Sequence, residues 1–490
     1  MSQSRPVPNV SASESYYGEL RALFGGFTLA AICSRLGIHK LSEVDPLRDR
    51  LRDRLVPATA ADALIHIFVE GKPIEPARLE SLTGGLALLR HLNLIDRLDE
   101  TQVAATVALY PIEDIFIASD RYNSADGTQF EGFDEIVYPC LFETTARFLR
   151  ILPRTPCGPV LDLGSGTAVA ALLLAKTSEH AYAADLTERC THFALFNQRM
   201  NGITNVSVVT GDLYAPVAGL TFDRIVVHPP YQPVFRHQQI FNSGGIDGEQ
   251  ITRRCVEEAF DRLRPGGRLY CLAQLTARDK PVDQRVREWL EGKACDIGFY
   301  ITKRHEVELF AAKATLTTKG NELDFREWLR AFGKLGVRSL DYGLLIVERH
   351  GGEREAFTVS RKTPVEAWDP ADFEASFAFE RARREAGFEA GLWGRKPRVA
   401  AGTKLEVEHG LGSEGGWELS QYRIVQNGPF DVKVQASQGL AFLLALFDGK
   451  RTVEEAFAEV GSSGASVSRR AFVDTVLAMA SEGFLSLGAS

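Results

Sequence analysis

The sequence is poor in the patterns that mark disulfide-stapled, secreted or membrane-spanning proteins. Its seven cysteines are scattered, odd in number and include no C-x-x-C pair, which favours free thiols in a reducing compartment. No apolar run approaches the ~20 residues of a membrane-spanning helix. The opening segment MSQSRPVPNVSASES lacks the apolar stretch of a secretory signal. We therefore expect a soluble, cytoplasmic protein with no membrane partner.

The chain also lacks an excess of basic residues. It has 56 Lys and Arg against 64 Asp and Glu, a net charge of -8, whereas proteins that coat nucleic acid draw their affinity from basic patches over phosphates. Nucleic acid is thus a disfavoured partner, although local basic patches stay open. No His, Cys or Asp cluster has the spacing of metal ligands, so we expect no metal.

Length and composition indicate an ordinary globular protein of several domains. At roughly 150 residues per domain, 490 residues correspond to about three domains. A share of 45% hydrophobic and 24% charged residues is typical of a chain that buries a sizeable core. The expected layout is a disordered tail over 1–15, a helical winged-helix-like domain over 16–125, a central domain over 126–350, a linker or irregular α+β region over 351–430 and a winged-helix-like module over 431–490.

Both flanking regions show helices followed by short strands. At the N-terminal end, LIDRLD and QVAATVALYPI predict two strands after a helical region, the order of a winged helix. Such domains bind DNA, dimerise or cover a substrate, so a homodimer stays open. Residues 111–135 are polar and irregular, and we expect a loop over a site there. At the C-terminal end, Thr452 and Glu455 have the spacing of a capping box ahead of a helix.

The central region alternates apolar strands with helical segments, which predicts an α/β fold with a mostly parallel sheet covered on both faces. The expected strands are PVLDLG, AYAADL, NVSVVTG, FDRIVVH, GRLYCLAQL and DYGLLIVERH.

The first of these strands ends in a glycine-rich turn, VLDLGSGT. Gly164 and Gly166 lack a Cβ and would let the backbone approach a ligand, at a turn that opens a helix at Thr167. Val169 occupies the third glycine position of the dinucleotide fingerprint, which disfavours a pyrophosphate. Asp162 precedes the turn, where its carboxylate could attract the ammonium group of an amino acid.

Acidic residues also end the next two strands. Asp185 follows the second strand, the usual place for a carboxylate that binds ribose hydroxyls. Asp212 follows the third strand, where it could accept from an adenine amino group beside the backbone of Leu213. Each acid alone could be a turn or helix-cap carboxylate. Their order along consecutive strand ends favours a nucleoside-containing ligand.

This pattern resembles class I S-adenosylmethionine-dependent methyltransferases over about residues 142–275. The resemblance implies a Rossmann-like fold and S-adenosyl-L-methionine as cofactor. It also implies three groups of cofactor-binding residues: Asp162, Gly164, Ser165, Gly166 and Thr167 around the methionine portion, Asp185 and Leu186 at the ribose, and Asp212 and Leu213 at the adenine.

The fourth strand ends in His228-Pro229-Pro230-Tyr231, followed by SGGIDG. This is similar to the N-P-P-Y motif of release-factor glutamine methyltransferases and of small-domain methyltransferases that act on adenine or guanine amines. In that family the Asn oxygen and the proline carbonyl accept the hydrogens of a planar NH2 group, and the aromatic ring stacks on it. The resemblance implies that His228, Pro229, Pro230 and Tyr231 form the catalytic segment.

Histidine replaces the asparagine of the motif, which leaves three interpretations open. His228 could orient an amine or amide, act as a general base for a hydroxyl, imide or ring N–H, or merely pack at the strand end. Arg236 and His237, nearby in sequence, could contact an anionic substrate or lie in a solvated loop.

We expect methyl transfer to a nitrogen, or less readily an oxygen. A small-molecule acceptor ranks first, a protein or peptide second and rRNA or tRNA third. By analogy, the C-terminal module could hold a peptide. The non-enzymatic alternative is a binding or regulatory protein with an inactive methyltransferase core.

Overall fold

The computed structural model describes residues 5–44, 56–122, 132–233, 243–317, 322–351, 354–364, 369–413, 415–464 and 466–487. The chain divides into two compact units. The first comprises residues 1–276, 311–337 and 347–349, and the second comprises 277–310, 338–346 and 350–490.

The α-helices of the described residues are α1 (Glu14–Leu23), α2 (Leu29–Leu36), α3 (Ala60–Leu64), α4 (Pro76–Thr83), α5 (Leu86–His91), α6 (Glu143–Ile151), α7 (Val169–Leu174), α8 (Glu188–Met200), α9 (Gln250–Arg262), α10 (Val282–Trp289), α11 (Val307–Thr317), α12 (Glu322–Leu335), α13 (Pro370–Ala382), α14 (Phe388–Leu392), α15 (Gln438–Leu446), α16 (Val453–Ser462) and α17 (Arg469–Ser481).

The strands are β1 (Ile95–Arg97), β2 (Val103–Ala105), β3 (Ala108–Ile112), β4 (Ile115–Ser119), β5 (Val160–Leu163), β6 (Ala181–Asp185), β7 (Val206–Thr210), β8 (Phe222–Val227), β9 (Leu263–Ala277), β10 (Cys295–Glu306), β11 (Ser339–Arg349), β12 (Thr358–Lys362), β13 (Arg398–Val399), β14 (Lys404–Leu411), β15 (Trp417–Asn427), β16 (Asp431–Ala436) and β17 (Leu485–Ser486).

The first unit contains five sheet strands in the order β9-β8-β5-β6-β7. These five pair in parallel throughout. The chain runs outward from β5 through β6 to β7, then returns to the other side of β5 with β8. The strand order therefore reverses between β5 and β8, and ligands of open α/β sheets bind at such a switch point, beyond the carboxyl ends of the strands.

The strands ahead of this sheet differ from the expectation. The predicted second strand is broken into β2 and β3, and β4 lies inside the segment that we expected to be a loop. β3 and β4 form an antiparallel hairpin whose turn includes Glu113 at a φ of +53°. The polar pair at the turn obscured the short apolar run of β4. The winged-helix interpretation of this region stays a prediction.

Asn197 of α8 and Asn201, which caps the C-terminus of that helix, hold the outer edge of β4. Asn197 accepts from the Ala118 N–H at 2.8 Å and donates to the Ala118 carbonyl at 3.0 Å. Asn201 makes the same pair of bonds with Phe116, at 2.8 and 2.7 Å. Four residues along a helix advance by about 6 Å, and two residues along a strand advance by about 6.7 Å. The spacing between the two asparagines therefore matches the spacing between Phe116 and Ala118. The amides thereby substitute for a neighbouring strand.

The segment expected to be a loose tail is anchored where the structure describes it. The Asn9 N–H donates to the Leu92 carbonyl at 2.9 Å, and Tyr17 donates to the Asn9 carbonyl at 2.9 Å. His192 of α8 bonds the Pro8 carbonyl at 2.6 Å. Proline-rich and polar composition suggested disorder, but these long-range partners cannot be read from local composition.

The second unit contains three sheet strands in the order β12-β10-β11, and an antiparallel sheet, β14-β15-β16. Helices α15, α16 and α17 share one apolar core, and β17 pairs with β13. The capping box at Thr452 and Glu455 is confirmed, with both reciprocal bonds present. The region expected to be a linker or irregular contains α13, α14, β12, β14 and β15.

No single helix among the described residues is long and apolar enough to cross a membrane. The bent helical pair over 14–26 and 29–43 meets the same criterion by length and composition.

The asparagine pair predicts unequal losses of stability. Asn197→Ala leaves both Ala118 backbone groups and the Thr167 carbonyl, which also accepts from Asn197 at 3.0 Å, without these partners in a fully buried place. We expect the free energy of unfolding to fall by about 3 kcal/mol, against about 1 kcal/mol for the half-buried Asn201→Ala. Urea unfolding of the full chain, followed by circular dichroism, measures both. Equal losses for the two variants would contradict the proposed difference.

Candidate active site

The glycine-rich turn after β5 presents its backbone to open space. The N–H groups of Gly164 and Ser165 donate to the Ala184 carbonyl at 2.8 and 3.0 Å. Gly164 and Gly166 have φ values of +67° and +52°, and a Cβ added to either would meet no protein atom within 4 Å. Both positions favour glycine because other residues are strained at such φ values.

The helix after this turn begins later than expected. Thr167 does not open it: α7 starts at Val169, because Ala168 has a left-handed φ of +62°. The Thr167 hydroxyl instead lies 2.8 Å from the Cys140 sulfur. Burial raises the pKa of Cys140 to about 11, despite the opposing bonds from Thr167 and Tyr110, so Cys140 is a neutral thiol that supports the turn.

Asp162 is a buried carboxyl group beneath the turn. It is 3% exposed, and one oxygen accepts from the Ala171 N–H at 3.0 Å. Burial raises the pKa of Asp162 to about 7, the Ala171 bond opposes this rise and the Asp185 charge adds to it. A group with this pKa is about half ionised at neutral pH, and a nearby cation would favour its charged form.

Asp185 links the ends of β5, β6 and β7. Its carboxylate accepts from the Gly166 N–H at 2.8 Å and from the Thr187 N–H at 3.2 Å. Its carbonyl accepts from the Gly211 N–H at 2.8 Å. The adjacent Leu186 is 53% exposed. The result is a carboxylate beside an apolar side chain at the carboxyl edge of the sheet.

Asp212 lies in a different environment from the other two acids. It is exposed and forms an ion pair with Arg254 of α9, with Oδ2 and Nη2 2.9 Å apart. The next residue, Leu213, has a left-handed φ of +47°, which marks a tight turn after β7. The structure thus bonds Asp185 to the glycine turn and Asp162 to α7, and it gives Asp212 a partner that the sequence did not indicate.

His228 follows β8, on the other side of the switch point. Its ring stacks on Phe148 with centroids 5.3 Å apart and lies 5.6 Å from the Tyr231 ring. The residue is half-buried, but Nε2 itself is out of solvent contact and has no hydrogen-bond partner among the described residues. Burial lowers the pKa of His228 to about 4, so the imidazole is neutral at pH 7.

The glycines of the SGGIDG segment allow close contact with the backbone after His228. The Gly244 N–H donates to the Gln232 carbonyl at 2.9 Å. A Cβ on Gly248 would lie 2.6 Å from the Tyr231 carbonyl oxygen and 2.9 Å from Pro233 Cδ. This segment therefore holds the H-P-P-Y backbone in place. Arg236 and His237 lie outside the described residues.

Several supporting residues were missed by the sequence analysis. Phe148 stacks on His228, Asn197 bonds the Thr167 carbonyl, and the buried Glu249 accepts from the Thr276 N–H and hydroxyl at 2.5 and 2.9 Å. The role of Asn197 could not be predicted from the sequence, because its burial is known only from the structure. Glu249 directly follows the glycine segment, and this position could have indicated it.

Comparison with known proteins gives two kinds of match. The methyltransferase small domain family matches residues 142–303. The chain is 30% identical over 220 residues to a release factor glutamine methyltransferase of Moorella thermoacetica, covering 40% of this chain and 78% of that protein. It is 30% identical over 232 residues to the protein of the same description from Geobacter sulfurreducens, covering 41% and 78%.

Solved structures give weaker matches. A methyltransferase from Pyrococcus furiosus is 20% identical with a TM-score of 0.27, covering 43% of this chain and 84% of that one.

Within the described residues, no group of His, Cys, Asp and Glu is arranged to hold a metal ion. The glycine turn, its two carboxyl groups and the H-P-P-Y segment all lie within residues 142–303, which the family matches. The chain belongs to the class I S-adenosylmethionine-dependent methyltransferases of the N-P-P-Y type, and S-adenosylmethionine is its methyl donor.

Proposed function

We propose that this enzyme methylates a planar nitrogen of a polypeptide acceptor, and that His228 orients the nitrogen rather than deprotonating it. The observation that carries this proposal is the buried, unpartnered Nε2 of a neutral imidazole at the end of β8. The bound cofactor supplies a methyl group on a positively charged sulfur.

The residues at the switch point fit this cofactor. The space in front of Gly164 and Gly166 is open, and the buried Ser165 hydroxyl has no partner among the described residues. We assign the methionine portion to the turn of Asp162, Gly164, Ser165, Gly166 and Thr167. We assign the ribose to Asp185 beside Leu186, and the adenine to Asp212 and Leu213.

His228 suits an orienting role better than a basic one. With the ring proton on Nδ1, Nε2 accepts a hydrogen bond from an N–H of the acceptor, as the Asn oxygen does in the family motif. An imidazole whose conjugate acid has a pKa of about 4 is too weak a base to remove a proton from a hydroxyl or amide at neutral pH. The Pro229 carbonyl is assigned the second N–H and the Tyr231 ring the stacking contact.

The acceptor nitrogen would take up the methyl group that the bound cofactor supplies, the cofactor sulfur would keep the electron pair of the broken bond, and the methylated nitrogen would release one proton to water. The protein contributes alignment of the nitrogen lone pair, which is proximity and orientation rather than strong base chemistry.

The polypeptide acceptor rests on the similarity to release factor glutamine methyltransferases across most of their length. From the sequence alone we ranked a small molecule first, whereas these relatives favour a protein or peptide. A small molecule is the second candidate because the H-P-P-Y segment departs from the motif at its first residue. The N-terminal and C-terminal domain assignments, the cytoplasmic location and a homodimer stay predictions.

Cofactor binding should strengthen as the pH rises from 6 to 8. With a pKa of about 7, Asp162 goes from about one tenth to about nine tenths ionised over this range, and the ammonium group of the ligand favours the ionised form. We expect the Kd of S-adenosylhomocysteine to fall by up to about tenfold, and Asp162→Asn to abolish that change. Titration calorimetry measures both. A pH-independent wild-type Kd would contradict the assignment.

Two substitutions separate the roles of His228. His228→Asn restores the acceptor of the family motif and should keep the rate at saturating cofactor within about tenfold of wild type, whereas His228→Ala should lose about a hundredfold. Initial rates of methyl transfer measure the difference. The ratio of the wild-type rate to the His228→Asn rate should be constant from pH 5.5 to 8.5. A ratio that falls toward acid pH would establish a base.

The class of acceptor is tested by radiolabelling. Purified protein and methyl-labelled S-adenosylmethionine are incubated with an extract of cells that lack this enzyme, and Asp185→Ala serves as the control for cofactor dependence. A polypeptide acceptor predicts label that is precipitated by acid and released by protease. Label in the acid-soluble fraction would indicate a small molecule, and label released by nuclease would indicate RNA. No label with intact cofactor binding would favour a regulatory protein.

A further inference from the structure

We propose that the free edge of β14, in the second unit, binds an extended peptide as a fourth strand, and that this peptide carries basic residues opposite Glu406 and Glu408. The surface that we call the β14 edge consists of β14, the apolar face it shares with β15, and the adjoining cleft beside α15.

The strand has an unpaired edge among the described residues. The sheet order is β14-β15-β16, so β14 pairs with β15 on one side only. Lys404 through Leu411 form an eight-residue strand, whose register against β15 shifts between Glu408 and His409. The outward backbone N–H and C=O groups of such a strand are a template for another extended chain.

One face of the hairpin is apolar and exposed. The register places Val407 opposite Tyr422 and Leu411 opposite Trp417, so these side chains share a face. Leu411 is 72% and Trp417 is 76% exposed. Exposed large apolar side chains grouped on one face mark a binding surface.

A cleft continues this face toward the helices of the second unit. It lies between the start of β14 and α15, and its lining includes Val399, Leu405, Ile424, Ala441 and Leu444. Leu405 and Ile424 are opposite each other in the register. A strand added at the β14 edge would direct every second side chain toward this apolar face, and the cleft has room for one of them.

The opposite face determines which peptide fits. Its exposed positions on β14 are Lys404, Glu406 and Glu408. Both carboxylates have partners on the β15 side: Arg423 lies 3.6 Å from Glu406 and 2.9 Å from Glu408, and Gln421 donates to Glu408 at 2.5 Å. An antiparallel partner strand therefore passes Glu408, then Glu406, then Lys404. The complementary peptide has two basic residues at alternate positions, followed by an acidic residue at the next alternate position, with apolar residues between them.

A role for this surface in recognising the acceptor polypeptide rests on the proposed function. The binding itself does not, because it needs neither cofactor nor methyl transfer.

The test uses a fluorescein-labelled peptide, Val-Lys-Val-Lys-Val-Glu-Val, and its charge-swapped counterpart, Val-Glu-Val-Glu-Val-Lys-Val. We expect the first to bind the full-length protein at least tenfold more tightly by fluorescence anisotropy. The double variant Glu406→Lys, Glu408→Lys should reverse this preference, a gain that misfolding cannot produce. Glu459→Lys, an exposed charge reversal on α16, is the matched control and should leave the preference unchanged.

Three results would overturn the proposal. Equal binding of the two peptides, or an unchanged preference in the double variant, would remove the charge argument. A dimer that Val407→Asp dissociates in sedimentation would show that a second copy of the chain covers this face. Calorimetry with S-adenosylhomocysteine on the same samples keeps the two ideas separate, because the peptide can bind normally while methyl transfer fails.

Discussion

The site depends on one topological constraint, the reversal of strand order between β5 and β8 in a parallel sheet. Parallel strands have their carboxyl ends at the same edge of the sheet. At the reversal, the chain leaves β5 and β8 in opposite directions, which opens a crevice between the two connections. The glycine turn and the H-P-P-Y segment are therefore neighbours at the sheet edge although more than sixty residues separate them in sequence. The hydrogen bond from Gly166 to Asp185 extends this arrangement to the next strand.

Burial then determines the chemistry of the two titratable groups at this edge. It raises the pKa of Asp162 to about 7 and lowers the pKa of His228 to about 4, because in both cases it disfavours the charged form. The consequences differ: Asp162 becomes responsive to a bound cation, whereas His228 becomes a neutral hydrogen-bonding group. A cationic methyl donor on one side and an uncharged acceptor nitrogen on the other suit this pair of environments.

β10 was not among the expected strands, but β5, β6, β7 and β8 were predictable from the sequence because each is a short apolar run followed by a glycine, an acid or the H-P-P-Y motif. The β3–β4 hairpin was not, since Glu113 and Asp114 made its turn resemble a loop. The roles of Asn197 and Phe148 also escaped, because they depend on contacts between distant segments. The ion pair between Asp212 and Arg254 joins β7 to α9, a proximity that only the folded chain defines. In the second unit, the alternation of apolar and charged residues along β14 is visible in the sequence, but the exposure of these side chains is known only from the structure.

The central claim is that His228 is a neutral hydrogen-bond acceptor and not a base. Nitrogen-15 NMR of histidine-labelled protein tests it directly, with His228→Asn used to assign the resonance. We expect that the His228 signal does not titrate between pH 5.5 and 8 and that Nε2 has the chemical shift of an unprotonated imidazole nitrogen. A His228 resonance that titrates with a midpoint near 6.5, or an Nε2 that carries the proton, would contradict it.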